Sequence, residues 1–418
     1  MARYGAAEQR DDPCVERGSP MATDVLDTLD PRTLGLELQA ARKRKGMRQE
    51  DAAKVINVAR TTLTAIEKGE RKVTAAELVK LATAYECQVS DLVRSRPVVR
   101  PSVEQYRGPD QFTLDDREAI EPYVARLIEY ARTYVELEEM RKSPLIRKYP
   151  AVYESRGQIY RVAESIAQEE RQRLSLGDGP LPPLREILEH YVGLRIFYLP
   201  LPKKFAEIYL YDDVLGGCIA VNRLHPEVRR RWSLTHGYLH FLAHRYATDV
   251  SYNEEVYRAS SDEERLAETF TPNFLMPVSG LKRYYMSVTQ VKSGFSTSDL
   301  LTMANLYGVS VEALTLRLED LDLLPAGMWK SLKARKLPIQ EYQEKLGLKP
   351  VVGYDDIFPR RYRLLALEAL TEGQISEEQF ASLLATDRLE ARAVAEQLAG
   401  LSGADDDLGG ERQPGREQ

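Results

Sequence analysis

From Leu34 to Lys45 the apolar positions recur on one face of a helix and stop at Gly46; Arg48 to Ile56 repeats the pattern. Asn57-Val58-Ala59 then reads as a tight turn, and Arg60 to Lys68 as a third helix ended by Gly69. Two short helices joined by such a turn predict a helix-turn-helix, in which the second helix lays its first residues into the major groove of DNA. Leu36, Leu38, Ala52, Val55, Leu63 and Ile66 are its expected core. Arg96-Pro97 to Pro101 breaks the pattern as a linker. A long helical region is expected from about Leu114 to Leu176, closed by Gly177-Asp178-Gly179-Pro180. The β-branched and aromatic runs Leu194 to Leu199, Ile208 to Tyr211 and Gly217 to Val221 predict strands, and a further helix starts near Pro226. Near the C-terminus a helix opens at Phe358-Pro359-Arg360 and ends at Gly373, Ser376 with Gln379 forms a capping box for the next, and Asp387 to Leu398 supplies a third.

These shifts predict a multidomain chain. Residues 1–29 are polar and read as a disordered extension, with Met21 as an alternative start. Residues 30–95 form the all-α helix-turn-helix domain, 96–156 a linker and helical region, and 157–320 an α+β domain with a small β-sheet. Residues 321–400 form a helical C-terminal region and 401–418 a disordered tail.

Charge sharpens the reading of the first domain. Between Arg32 and Lys72 there are 11 Lys or Arg against 5 Asp or Glu, a local balance of +6 in a chain whose total is −6. One small segment suits a polyanion while the rest repels it. Between Arg361 and Leu398 there are 4 basic and 7 acidic residues, so that region is expected to pack or dimerise rather than touch DNA. Cys14, Cys87 and Cys218 lack paired spacing and indicate neither a disulfide framework nor a Cys-rich zinc site. No apolar run is long enough to span a bilayer, and Met1 to Arg10 lacks the core of a signal peptide, so a soluble, cytoplasmic protein is expected.

The candidate chemistry lies in Ser233-Leu234-Thr235-His236-Gly237-Tyr238-Leu239-His240. Two histidines four apart sit about 6 Å apart along one helix face, so both imidazoles can reach one Zn²⁺, and a later acid can complete the set. Of the chain's five histidines, His236, His240 and His244 fall within nine residues, which core packing hardly explains. His244 is rotated roughly 80° from His236 on a helix and is the poorer ligand. In H-E-x-x-H sites the second residue is a Glu that serves as general base. Here it is Gly237. Tyr238, Glu254, Glu255, Asp262 and Glu263 are other groups able to approach such a site.

Two resemblances extend this. Gln49-Glu50-x-Ala52-Ala53 with Asn57 to Arg71 resembles the Cro/C1-type (XRE) regulators. That resemblance implies a double-stranded DNA operator, with Arg60, Thr61, Thr62 and Thr64 at or near base edges and Gln49, Lys68, Arg71 and Lys72 on phosphates. Arg229 to His236, His240, Glu264-x-x-Ala267-x-x-Phe270 and Leu275-Met276-Pro277, with Leu306 to Leu318 downstream, are similar to the ImmA/IrrE metallopeptidases. The zincin-like fold of that family implies Zn²⁺ on His236, His240 and Glu264, with the base position lost to Gly237 and a common glycine replaced by Leu239.

The leading expectation is a DNA-binding transcriptional regulator, a homodimer on its operator, whose peptidase-like domain senses a signal or acts on a partner repressor with weakened or lost activity. An active zinc endopeptidase cleaving an XRE-type repressor, and an antitoxin-like partner in a toxin or phage-defence pair, are the competing classes. Restoring the carboxylate by Gly237→Glu is expected to raise peptidase activity by about 10² to 10⁴.

Overall fold

The computed structural model describes residues 31–87, 106–107, 113–246, 248–252, 261–292, 294–336, 338–349 and 356–406, with isolated positions between. The expected N-terminal extension lies outside the described residues. The chain divides into two compact units, residues 1–100 and 101–418.

In the first unit, helices α1 (Pro31–Arg44), α2 (Gln49–Val55), α3 (Arg60–Glu67) and α4 (Ala75–Tyr85) enclose one small core. Leu38, Ala52, Leu63 and Ile66 are fully buried, as the periodicity predicts. Ile56 takes the core place expected of Val55, which is half-buried, and the Leu36 side chain lies outside the described residues. The turn between α2 and α3 is closed by Asn57 in the left-handed region at φ 57°. Gly35 lets α1 cross the end of α3 at close range: a Cβ there would lie 2.4 Å from the Ile66 carbonyl oxygen. Thr74 and Glu77 form the capping box that opens α4.

The second unit is built on a five-stranded mixed sheet of order β1-β5-β3-β4-β2. Its strands are β1 (Tyr106–Arg107), β2 (Arg195–Leu199), β3 (Phe205–Asp212), β4 (Gly216–Asn222) and β5 (Thr248–Tyr252). β3 runs antiparallel to β4 and β5, whereas β2 is parallel to β4. The three predicted strands are present; β5 is an addition, polar in sequence and placed by its pairing with β3.

Alternation sorts the strands onto two faces. Glu207, Tyr209 and Tyr211 of β3 share a face with Val221, Ile219 and Gly217 of β4, opposite which they pair in that order. Against that face lies α8 (Glu227–Ala243), which is flanked by α6 (Ile159–Arg173) and α9 (Asp262–Leu275) in one apolar core. Phe197 on the other face meets Tyr130 and Tyr134 of α5 (Leu114–Met140) at ring-centroid distances of 5.9 and 6.5 Å. Arg195 and Glu138 form a buried ion pair there at 2.7 Å.

Two expectations change. The helical region from Leu114 to Leu176 is two helices, because Lys142 turns left-handed at φ 50° and Pro144 and Pro150 hold an extended segment. That segment bonds to neighbouring elements instead, through Lys148 N–H to the Val192 carbonyl at 2.9 Å and Tyr153 N–H to the Leu242 carbonyl at 3.0 Å. At the other end, α17 (Arg388–Asp406) runs beyond Gly400 into the expected tail; residues after 406 are outside the description. The preceding helix α15 (Arg360–Thr371) starts after Pro359 and stops before Gly373, and α16 (Glu377–Leu383) has the expected Ser376–Gln379 capping box. They pack within this unit: Arg361 donates to Glu138 at 3.1 Å, and Tyr362 stacks on Phe358.

Candidate metal centre and nucleic-acid interface

Helix α8 starts directly after Pro226, and its buried length presents His236 and His240 one turn apart, with ring centroids 5.0 Å apart. Helix α9 brings the third group. Ser261 caps it by accepting the Glu264 N–H at 3.1 Å, which places Glu264 in the first turn against α8. Glu264 Oε2 lies 3.4 Å from His236 Nε2, and Glu264 Oε1 lies 3.4 Å from His240 Nε2. One donor atom from each of the three residues falls within 4.8 Å of the others, and all three side chains are buried. The structure thus gathers the trio picked from sequence.

This donor set fits zinc. Ligand atoms about 2.0–2.1 Å from a tetrahedral Zn²⁺ are separated by about 3.4 Å from one another. Each imidazole lies at that separation from one of the two Glu264 oxygens, with one donor atom per residue gathered within 4.8 Å, and two imidazoles with one carboxylate leave one position open.

The far nitrogens are also engaged. His240 Nδ1 faces His244 Nδ1 at 3.3 Å, so His244, at the C-terminal end of α8, contacts a candidate ligand instead of joining the set. His236 Nδ1 lies 2.8 Å from Oε1 of Glu207. Glu207 is on β3, is 1% exposed, and has Ser251 as its cross-strand partner on β5, with the Ser251 hydroxyl 3.4 Å from the same oxygen. Burial pushes the Glu207 carboxyl above its ordinary value. Burial alone would lower His236, but the Glu207 and Glu264 carboxylates outweigh it and hold the imidazole well above its usual range.

Glu207 is the residue that sequence reading missed. Its signal was a charged residue two positions before Tyr209 on the inward face of a strand, legible only once the register is known.

The other nearby acids and phenol are arranged differently. The Tyr238 hydroxyl, a candidate for the site, instead donates to Glu170 of α6 and accepts from Arg173 at 3.1 Å. Asp262 is exposed and pairs with Arg265 at 2.6 Å. Glu263 is half-buried, and Glu254 and Glu255 lie outside the described residues.

In the helix-turn-helix unit, Arg60 and Thr61 open α3 and are exposed, and Lys68 and Lys72 are exposed beyond it. Arg60 lies 3.7 Å from Glu50, an exposed pair that water screens strongly. Thr62 and Thr64 are half-buried, and the Thr64 hydroxyl donates to the Arg60 carbonyl at 3.0 Å. Arg71 is half-buried and donates to Glu77 at 2.9 Å. Gln49 donates to Glu67 at 2.8 Å, joining the start of α2 to the end of α3. Glu67 is 1% exposed and also accepts from Arg42 of α1 at 2.6 and 3.1 Å. This network sets the angle between the helices that carry the candidate contacts.

Fold and donor set together define a helix-turn-helix unit joined to a zincin-like α+β domain. Residues 38–92 match the helix-turn-helix family model, and residues 189–319 match that of the IrrE N-terminal-like domain. The chain therefore carries an XRE-type helix-turn-helix domain and an IrrE/ImmA-like domain. Among solved structures it is similar to the restriction-modification controller protein C.AhdI of Aeromonas hydrophila, at 32% identity over 15% of this chain and 96% of that one, with a TM-score of 0.15. It also matches Bacillus thuringiensis PlcR, solved with a peptide and DNA, at 9% identity, covering 91% of this chain and 100% of that one, with a TM-score of 0.17. ComR of S. thermophilus matches at 12% identity over 90% and 99%, with a TM-score of 0.15. These scores are too low to define a shared overall fold. No curated protein matches the chain. No helix among the described residues is long and apolar enough to cross a membrane.

Proposed function

We propose that this protein is a DNA-binding transcriptional regulator whose IrrE-like domain holds Zn²⁺ on His236, His240 and Glu264 and serves chiefly as a sensor or partner-binding domain. The observation that carries the reading is a buried His-His-Glu donor set, gathered within 4.8 Å, that stands beside a glycine where a peptidase has its base. The chain acts in the cytoplasm as a homodimer on an operator, with Arg60, Thr61, Thr62 and Thr64 at base edges and Gln49, Lys68, Arg71 and Lys72 toward phosphates.

His236, His240 and Glu264 would hold the zinc, which would supply Lewis acidity toward a carbonyl or a signal molecule. The chain's own residues do the rest. Glu264 brings α9 and α8 together at the site, His244 and Glu207 engage the far nitrogens of the two imidazoles, and the glycine at 237 removes the general base, a typical 10² to 10⁴ in rate.

The test combines three measurements on the full chain: genomic selection of bound DNA, zinc content after purification without chelator, and cleavage of an XRE-type repressor. Salt-dependent operator binding, about one zinc per chain and slow or absent cleavage support the proposal. Fast zinc-dependent cleavage would make the protein an endopeptidase, and salt-independent or absent DNA binding would remove the regulator.

A further inference from the structure

The glycine at 237 and the glutamate at 207 occupy one space. Gly237 has ordinary helical backbone, so its conformation does not demand glycine, and glycine is the poorest helix former after proline. The demand comes from its neighbour. A Cβ on Gly237 would sit 3.1 Å from Glu207 Oε1, 3.4 Å from its carboxyl carbon and 3.4 Å from Ile219 Cγ2. A side chain at 237 thus starts out toward the Glu207 carboxylate, which would have to shift by a few tenths of an ångström from the position it holds against His236 Nδ1. Burying a carboxylate is costly unless it is hydrogen-bonded. Oε1 of Glu207 has His236 and Ser251, while Oε2 has no hydrogen-bond partner among the described residues. An acid kept under those conditions on a strand face beside two tyrosines calls for a task.

We propose that Glu207 is the positioning residue of this metal centre and that Gly237 is the room it requires. The carboxylate holds the His236 ring with Nδ1 protonated, which turns Nε2 toward Glu264 and the metal; a carboxylate behind a ligand histidine fixes the tautomer and raises the basicity of the ligating nitrogen. On this account the second position of the motif is the small half of a large-and-small pair, with its acid on β3. Gly237→Glu alone then weakens the site, because it drives a second carboxylate into the first, and the peptidase gain expected from sequence does not follow. The inference rests on the proposed zinc reading.

The test uses metal-free full-length protein. Zinc affinity is measured by competition with a chromophoric chelator for the native chain, E207Q, E207A, G237A and the double variant E207A/G237A. The His236 tautomer is read from long-range nitrogen-proton NMR, without metal and at a pH alkaline enough to leave the ring neutral, in native protein and E207Q. Loss of the carboxylate behind His236 should weaken zinc binding by about 10- to 100-fold in E207Q and E207A. G237A should weaken zinc when Glu207 is present and cost nothing further when it is absent. The Nδ1–H form should dominate in native protein and be redistributed in E207Q.

A role for Gly237 in packing alone would instead have G237A raise the melting temperature and leave zinc affinity at the native value. E207Q within twofold of native affinity, equal losses from G237A in both backgrounds, or an unchanged tautomer would each overturn the assignment. E207Q keeps the volume of Glu207, so it answers even where E207A does not fold. A native chain that takes up no zinc overturns the metal reading itself, and the tautomer then decides whether Glu207 positions His236.

Discussion

Truncation of Glu67 should be the most damaging single change in the helix-turn-helix unit. Its carboxylate lies at the end of α3, 1% exposed, and accepts from Arg42 at 2.6 and 3.1 Å and from Gln49 at 2.8 Å. Glu67→Ala leaves the Arg42 guanidinium its bond to the Met47 carbonyl at 2.9 Å and releases Gln49. Hydrogen bonds to charged groups are worth about 1.5–3 kcal/mol each, but the group acts as a unit and the terms do not add. Removing one partner of a buried ion pair costs about 3–5 kcal/mol, which is the expected loss. Glu67→Gln keeps shape but not charge and should lose about 1.5–3 kcal/mol. Replacing both partners by apolar residues, Arg42→Met with Glu67→Leu, should restore much of the difference, since no charge is then stranded.

Acid adds an independent check. Burial alone would raise the Glu67 carboxyl, but the hydrogen bonds from Arg42 and Gln49 and the Arg42 charge bring it below 4.5. A folded value below the unfolded one contributes stability above the unfolded value, and this is lost as pH falls through the folded one. The native unit should therefore weaken below about pH 4.5, and Glu67→Gln should flatten that slope. Amide hydrogen exchange over α1 to α4 in the full chain reads both effects locally. A Glu67→Ala cost under about 1 kcal/mol, or a double variant as weak as the single one, would refute the stranded-charge argument.

Arg60→Ala should relax sequence preference at one operator position by about 1–3 kcal/mol, whereas Lys72→Ala should weaken all sequences alike and lower the salt slope by nearly one unit, as read by titrations over a salt series. His240→Ala should abolish stoichiometric zinc by metal analysis while the far-ultraviolet circular dichroism is retained. Zinc at 100 times its Kd should stabilise the native second unit by about 2.7 kcal/mol and leave the His240→Ala variant unmoved. Gly35→Ala places a methyl group 2.4 Å from the Ile66 carbonyl oxygen and 2.8 Å from that of Glu67, so α1 must move off α3. An overpacking cost of about 1–3 kcal/mol is expected from thermal melts, and a gain in stability would refute the close approach.

Much of this protein is written locally. Helical periodicity, Gly46 and Gly69 as stops, and the turn at Asn57 define the helix-turn-helix because each signal acts within a few residues. The same holds for the capping box at Ser376 and for the i, i+4 spacing of His236 and His240, which helix geometry alone puts on one face. Tertiary structure decided what depends on pairing between distant segments. Strand β5 is polar in sequence and exists through its ladder with β3, and the extended stretch after Lys142 is fixed by bonds to Val192 and Leu242. Tyr238 was free by sequence to face the site, but helix packing turns it to Glu170. Above all, Gly237 reads as a deletion in one dimension. In three dimensions the space it leaves is filled from β3 by Glu207, because a strand's register and a helix's face meet only in the folded core.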